Sequence, residues 1–255
     1  MSSGFATGDG TPLGRAFDTP EAKRRYVKSL FTTIAGRYDL ITRLLSFGRD
    51  QRWKAALIER AHIKPGERVL DLACGTGDLA FAAARSGAEV IGVDLTHKMI
   101  ERAKVRATTK AGAARIMWSV GDMARLPVAD ASCDVVTTGY GLRNVPDLAV
   151  ALAEIHRVLR PGGRLYSLDF DRPEAAWLRR IYLLYLDVVG ASLGWMLHRN
   201  PDTYRYIPAS IRRYPGARAV ARMMIAAGFS DAQHLPVLGG LMAIHEAVAS
   251  VVEPS

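Results

Sequence analysis

At 255 residues, 49% of them hydrophobic and with a mean hydropathy of +0.04, the chain can bury one sizeable core and is too apolar for a disordered protein. Two cysteines, Cys74 and Cys133, exclude a disulfide framework or a cysteine metal cluster and read as reduced thiols of a cytoplasmic protein. The net charge of +9 is unevenly placed: Lys and Arg outnumber Asp and Glu by 11 to 6 over residues 1–60 and by 12 to 5 over 157–222, yet balance at 11 each over 61–156. A basic flank suits an anionic membrane surface, nucleic acid or, by default, a solvated face.

Residues 1–20 carry Gly, Ser, Thr and acids with no apolar run, so they read as a disordered leader rather than a secretory signal. Residues 21–255 read as a single domain that begins with a helical cap over 21–62. Apolar residues at helical spacing (Tyr26, Leu30, Ile34, Tyr38, Ile41, Leu45) predict a helix over 21–45 broken near Gly36, and a second helix spans 50–61. Pro65-Gly66 then feeds a first strand, the short apolar run from Arg68 that ends at the glycine turn.

From there strand and helix alternate. Strands are expected at 88–94, 114–120, 133–138 and 164–170, and helices at 78–86, 97–107 (with Thr96 as N-cap) and 146–159. Alternation of this kind builds a Rossmann-like α/β fold, a doubly wound and mostly parallel sheet that two closing strands at 232–238 and 241–250 bring to seven. Residues 173–208 interrupt it as a helical insertion. Its apolar run over 177–197 is long enough to span a bilayer, but Arg179, Arg180, Asp187 and two glycines argue against that. Two readings stay open for it, a buried helical cap and an amphipathic lid that leans on a membrane.

Ligands in such sheets bind outside the carboxyl ends of the strands, where Asp71, the Gly75-Thr76-Gly77 turn, Asp94-Leu95, Asp122-Met123 and Gly139 all fall. The turn matches a dinucleotide pattern, with Asp94 at the position that takes a ribose diol. Asp71 and Asp78 beside it would repel a pyrophosphate, whereas S-adenosylmethionine brings an ammonium and a sulfonium. Charge therefore favours S-adenosylmethionine, with an NAD-linked oxidoreductase as the competitor. The six His residues are scattered and form no metal site; His97 reads as a surface residue and His245 as core packing.

Longer motifs surround this turn: Arg37-Tyr38-Asp39 through Leu45-Ser46-Phe47-Gly48 to Trp53, Gly141-Leu142-Arg143-Asn144-Val145, Arg157 to Gly163, Tyr204-Arg205-Tyr206 with Ser210-Ile211, and Gly239-Gly240 with Ala243-Ile244-His245. In order and spacing the chain resembles the ubiquinone/menaquinone biosynthesis C-methyltransferases, including the demethylmenaquinone methyltransferases, of the class I S-adenosylmethionine-dependent fold. It departs from their pattern at Ile41-Thr42 (usually Met-Asn), Asp50 (usually His) and Tyr140 (usually Phe). The resemblance implies methylation of a polyprenyl quinol ring. Arg143 would stabilise the developing phenolate, since a guanidinium is no base at neutral pH, and Asn144 and Tyr38 would complete a polar network. It also implies peripheral membrane contact and leaves a homodimer open. The alternatives are a methyltransferase for a small soluble phenol and a non-catalytic binding protein of the same fold; no nucleic-acid module accompanies the charge.

Overall fold

The computed structural model describes residues 12–173, 175–200 and 202–251. Seven strands form one sheet: β1 Arg68–Leu72, β2 Glu89–Asp94, β3 Ile116–Val120, β4 Cys133–Gly139, β5 Leu159–Phe170, β6 Phe229–Val237 and β7 Met242–Ala249. Their order is β3-β2-β1-β4-β5-β7-β6, parallel through β5, with β7 antiparallel to both β5 and β6. This is the doubly wound sheet that the alternation of strand and helix predicts.

Successive side chains on a strand face opposite ways, and β1 shows what each face buries. Val69 packs with Leu57 and Ala61 of α3 (Asp50–Ala61) and with Leu79, Ala80 and Phe81 of α4 (Asp78–Arg85). Leu70 and Leu72 meet Leu152 and Ile155 of α6 (Leu148–Val158) on the other face, with Val220 and Met224 of α9 (Ala217–Ala226) in the same core. Each of these large side chains contributes roughly 1.5–3 kcal/mol by leaving water. The remaining flank on β2 and β3 is held by α5 (His97–Ala107).

A third core lies outside the sheet. It joins α1 (Pro20–Ile34) and α2 (Tyr38–Leu45), separated by a 3-10 turn at Ala35–Arg37, to α7 (Ala176–His198) and α8 (Asp202–Arg213). Tyr26, Leu30, Ile34, Leu193, Tyr204 and Tyr206 fill it, so cap and insertion pack on each other as a single roof. The helix break expected near Gly36 is this 3-10 turn.

Four expectations need correction. The leader was expected to be disordered to residue 20; residues 1–11 lie outside the described residues, but from Pro12 the chain is packed. Ala16 is fully buried, and Phe17 stacks on Tyr206 at 5.8 Å with Arg213 over its ring at 4.2 Å. Thr96 holds the N-cap position, yet its side chain makes no capping bond; its hydroxyl turns to Asp94. The insertion does not end at 208, because α8 runs through Pro208. A proline has no N–H to offer the carbonyl four residues back, here Tyr204 O, and that carbonyl packs closely on Gly190 of α7, where an added Cβ would lie 3.2 Å from it. Finally, α7 is not a buried cap: only Leu186, Gly190, Leu193 and Gly194 are buried, and the opposite face is open.

Candidate active site

The first βα turn leaves β1 through Ala73 at φ +49° and Gly75 at φ +54°, and the end of β4 turns through Tyr140 at φ +63°. Left-handed backbone at a bulky side chain such as Tyr140 is strained, and such strain collects at functional sites. Between these two turns lies a narrow cleft of about 80 Å³ roofed by α1. Gly75, Asp94, Leu95, Asp122, Met123 and Gly139 line it, joined by Arg24, Gly121 and Gly141. Asp94 Oδ2 accepts the Gly75 N–H at 2.9 Å and Oδ1 accepts the Thr96 N–H at 2.8 Å, which ties the end of β2 to the glycine turn. Burial pushes its carboxyl up, against the pull of those bonds. With the Thr96 hydroxyl as a third donor, the carboxylate keeps one acceptor site for a further donor. Asp122 Oδ1 accepts the Ala124 N–H at 2.9 Å, and its other oxygen pairs with Arg24 Nε at 2.5 Å across the cleft.

Three residues expected at the cofactor lie off this cleft. Gly77 faces the sheet side: at φ +93°, a Cβ there would stand 2.6 Å from the Trp118 ring and 2.9 Å from Phe81, so its role is packing. Thr76 and Asp71 border a smaller cavity of about 20 Å³ next to the cleft, shared with Tyr38, Lys54 and Gly139. Thr76 Oγ1 donates to Asp39 at 2.7 Å and accepts from Arg106 at 2.7 Å. Asp71 Oδ1 accepts from Thr137 Oγ1 and Oδ2 from the Ala80 N–H, both at 3.0 Å, while burial lifts its carboxyl to about 7.

The charge argument drawn from Asp71 and Asp78 fails in the fold. Asp71 turns into the sheet–helix interface. Asp78 is neutralised by Lys54 at 2.8 Å and Arg106 at 2.8 Å. Burial alone would raise its carboxyl; Lys54, with bonds from Gln51 and Arg106, overcomes that and holds it well below the usual range.

Beside the cleft, under the roof, is a larger cavity of about 510 Å³. Its wall is aliphatic and aromatic almost throughout, with Phe31, Ile34, Ile41, Tyr182, Leu186 and Ile207 among its members. The two cavities share Phe31, Tyr38, Tyr140 and Asn144. Tyr38 borders the small cavity as well, so it stands where all three meet. Its phenol is pushed up by burial and stays protonated, hydrogen-bonded to Thr42.

Arg143 lines the large cavity and is 5% exposed. Its Nε lies 3.3 Å from Asp169 Oδ1, its N–H donates to Asp169 Oδ2 at 3.0 Å, Nη1 donates to Ser210 Oγ, and Phe170 lies under the guanidinium at 5.1 Å. Burial raises the Asp169 carboxyl and Arg143 pulls it back. Asn144 is held by its Nδ2, which donates to Tyr140 O at 2.7 Å. From α1, Lys23 Nζ donates to the carbonyls of Arg143 at 3.1 Å and Val145 at 2.6 Å; burial and then Arg143 lower it to about 8. The structure thus brings Arg143, Asn144 and Tyr38 to one cavity. His245 is core: it is 1% exposed and its Nε2–H donates to Ala217 O at 3.0 Å. His97 is a surface residue paired with Glu101.

Sequence reasoning missed Lys23, Arg24, Lys54 and Asp169, and gave Ser210, part of a quoted motif, no role. Asp169 carried a usable signal, an acid at the carboxyl end of a strand; the others reach the site from helices whose docking the sequence does not show.

A profile of the ubiE/COQ5 methyltransferase family matches residues 19–249. The chain belongs to this family. It is 39% identical over 240 residues to the ubiquinone/menaquinone biosynthesis C-methyltransferase UbiE of Rubrivivax gelatinosus, covering 92% of this chain and 93% of that one. It is 41% identical over 218 residues to the demethylmenaquinone methyltransferase of Thermus thermophilus, covering 85% and 98%. It is 41% identical over 223 residues to the 2-phytyl-1,4-naphtoquinone methyltransferase of Synechococcus elongatus, covering 86% and 94%. Among solved structures, a SAM-dependent methyltransferase of Thermotoga maritima shares the fold with a TM-score of 0.62 at 20% identity, over 87% of this chain and 99% of that one.

As a member of the ubiE/COQ5 family the chain is a methyltransferase with S-adenosylmethionine as donor, and the dinucleotide reading is set aside. Its residues fit that cofactor. A Cβ at Gly141 would lie 2.2 Å from Thr138 Oγ1 and 3.0 Å from Ala73 Cβ, so the wall of the cleft is formed by bare backbone. Asp94 and Asp122 put carboxylate oxygens into the lining of the cleft, acceptors that the hydroxyls and amine of an adenosine can use.

Proposed function

We propose that this methyltransferase alkylates a ring carbon of a polyprenyl quinol, the step named for its demethylmenaquinone and ubiquinone/menaquinone relatives. The observation that carries the reading is the pairing of a polar cofactor cleft with a long apolar cavity that meets it at Phe31, Tyr38, Tyr140 and Asn144. A small soluble phenol would have no use for an apolar space of about 510 Å³.

S-adenosylmethionine supplies an electrophilic methyl group on a sulfonium. The protein's share is to make the acceptor carbon nucleophilic and to exclude water. A phenolate directs electron density to the ortho carbon, and Arg143 favours that phenolate as a fixed cation in a dry site, where its charge counts for far more than in water. Asp169 and Ser210 hold the guanidinium in place, and the Phe170 ring sets its plane. Tyr38, kept protonated by burial, is a hydrogen-bond donor at the junction, and Asn144 carries its carbonyl Oδ1 3.4 Å from Arg143 Nη1. Phe31 and Tyr140 supply apolar surface at the junction of the two cavities. In this reading the enzyme is cytoplasmic and meets its acceptor at a membrane surface.

Methyl transfer measured side by side on demethylmenaquinol, a prenylated methoxy-benzoquinol and a soluble catechol tests the proposal. At least one prenylated quinol should be turned over far faster than the catechol. Preference for the catechol would overturn it.

A further inference from the structure

Helix α7 carries a row of apolar side chains that none of the described residues covers. Trp177, Ile181, Leu184, Val188 and Trp195 recur at helical spacing along one face, each at least 57% exposed, with a Trp at both ends at 68%. The two tryptophans lie eighteen residues apart, which at 1.5 Å per residue is about 27 Å from end to end of the row. Exposed apolar patches of this length mark an interaction surface.

The ridge adjoins the mouth of the acceptor cavity. Phe47, Ile181 and Leu238 line that cavity and are also 76%, 58% and 40% exposed, so they form its rim. Phe47 stacks against Tyr185 at 6.1 Å, which sets the turn after α2 beside α7. Leu40 and Leu44 of α2 are also exposed.

Charge identifies what covers the ridge. At its Trp177 end is a groove of about 620 Å³ lined by Trp177, Leu183 and Leu184 on the apolar side and by Arg179, Arg180 and Arg212 on the other. Among the described residues Asp187 is the one acid that lines it, and it pairs with Arg212. Among the described residues neither Arg179 nor Arg180 has a charged partner. Arg43 and Arg49 are exposed on either side of Phe47. Aliphatic surface next to unpaired guanidinium groups matches a phospholipid, with acyl chain against leucine and phosphate against arginine. Tryptophan at the edges of such a surface suits the boundary between headgroups and chains.

We propose that the exposed face of α7, with the Arg179–Arg180–Arg212 groove and the rim at Phe47, docks this enzyme on an anionic phospholipid bilayer, and that the rim opens the acceptor cavity directly to the lipid phase. The use given to the rim rests on the quinol reading; the docking itself does not. α7 lies along the bilayer surface and does not cross it, because its buried face is committed to α8 through Gly190 and Leu193.

The full chain is floated with vesicles of phosphatidylcholine, with and without phosphatidylglycerol, at low and high salt. Binding is expected only with the anionic lipid and should weaken as salt rises. R179E/R180E should weaken it by about tenfold or more, since each basic residue near such a surface contributes about fivefold. W177S/V188S should abolish it. Neither pair belongs to the cavity walls, so both variants should keep the wild-type rate on a short-chain, water-soluble quinol. They should lose rate on a long-chain quinol delivered in vesicles. Equal binding to neutral and anionic vesicles, or binding unchanged in both variants, overturns the proposal. So does a dimer that W177S/V188S converts to monomer with no vesicle binding in the parent, because the ridge is then an interface between copies. If vesicles are bound as expected and no quinol is methylated, the docking stands and the quinol reading falls.

Discussion

Arg143 Nε and Asp169 Oδ1 lie 3.3 Å apart, with side chains only 4% and 1% exposed. A buried pair of this kind costs about 3–5 kcal/mol when one partner is deleted, because the other charge is left uncompensated. Arg143→Gln should lower methyl transfer by about two orders of magnitude or more, the scale of a lost electrostatic stabiliser. S-adenosylmethionine should still bind to within a few-fold, since Arg143 faces the acceptor cavity and not the cleft. Calorimetric cofactor binding beside single-turnover rates separates the two effects. Unchanged turnover removes Arg143 from the mechanism.

Arg24 and Asp122 clasp the cofactor cleft from the solvent side, with Arg24 55% exposed. An exposed pair stabilises little, so Arg24→Ala should change unfolding free energy by less than about 1 kcal/mol. It should nonetheless speed dissociation of S-adenosylmethionine, because the clasp joins α1 to the loop after β3. Stopped-flow release of the cofactor measures this, and identical release rates in both proteins would count against the clasp.

Two buried groups give stability opposite pH slopes. Burial lowers His245 to about 4. With its folded value below the unfolded one, its contribution is complete above about pH 6.5 and drains away as pH falls towards 4, by up to roughly 3 kcal/mol. Burial raises Asp71 to about 7. With its folded value above the unfolded one, its contribution is complete below about pH 4 and is lost as pH rises through 7, by up to roughly 4 kcal/mol. Urea unfolding across this range should show His245→Gln flattening the acid limb and Asp71→Asn flattening the neutral one. Parallel curves for wild type and variants would show that neither group titrates as described.

Gly77 and Gly141 are both intolerant of a side chain, for different reasons. Gly77→Ala drives a methyl group into Trp118 and Phe81 at φ +93°, away from the cleft. Gly141→Ala drives one into Thr138 and Ala73 inside the wall of the cleft. Both should lower thermal stability, by about 1–3 kcal/mol for overpacking alone. Only Gly141→Ala should also weaken S-adenosylmethionine by about tenfold or more in the folded fraction, as a fluorescence titration would show. Equal cofactor affinity in the two variants would contradict the assignment.

The sheet was legible because strands of a doubly wound fold are short apolar runs closed by glycine, and helix α3 because its period is clean over residues 50–61. The cofactor was reached for a reason the structure removes. Asp78 is as acidic as it looked, but Lys54, from 24 residues earlier in the chain, and Arg106, from 28 later, cancel it, and a linear pattern cannot show that. The two readings of α7 stayed open for a similar reason. An apolar helix reads as buried whether its second face meets protein or solvent, and only the docking of α8 on Leu193 and Gly190 tells which face remains open. Arg143 was found through its motif, whereas Asp169, Ser210 and Lys23 gather around it only when β5, α8 and α1 converge.

The antiparallel strand β7 sits between β5 and β6, which both precede it in the chain. On the ribosome, β5 is complete at Phe170 and then waits until Ala249 is made before its free edge gains a neighbour. Through that interval Leu165 and Leu168, fully buried in the finished sheet, flank an open hydrogen-bonding edge. Such edges recruit other chains, and non-local pairings of this span form slowly. A nascent chain stopped anywhere short of Met242 therefore carries an open edge of the kind that invites aggregation.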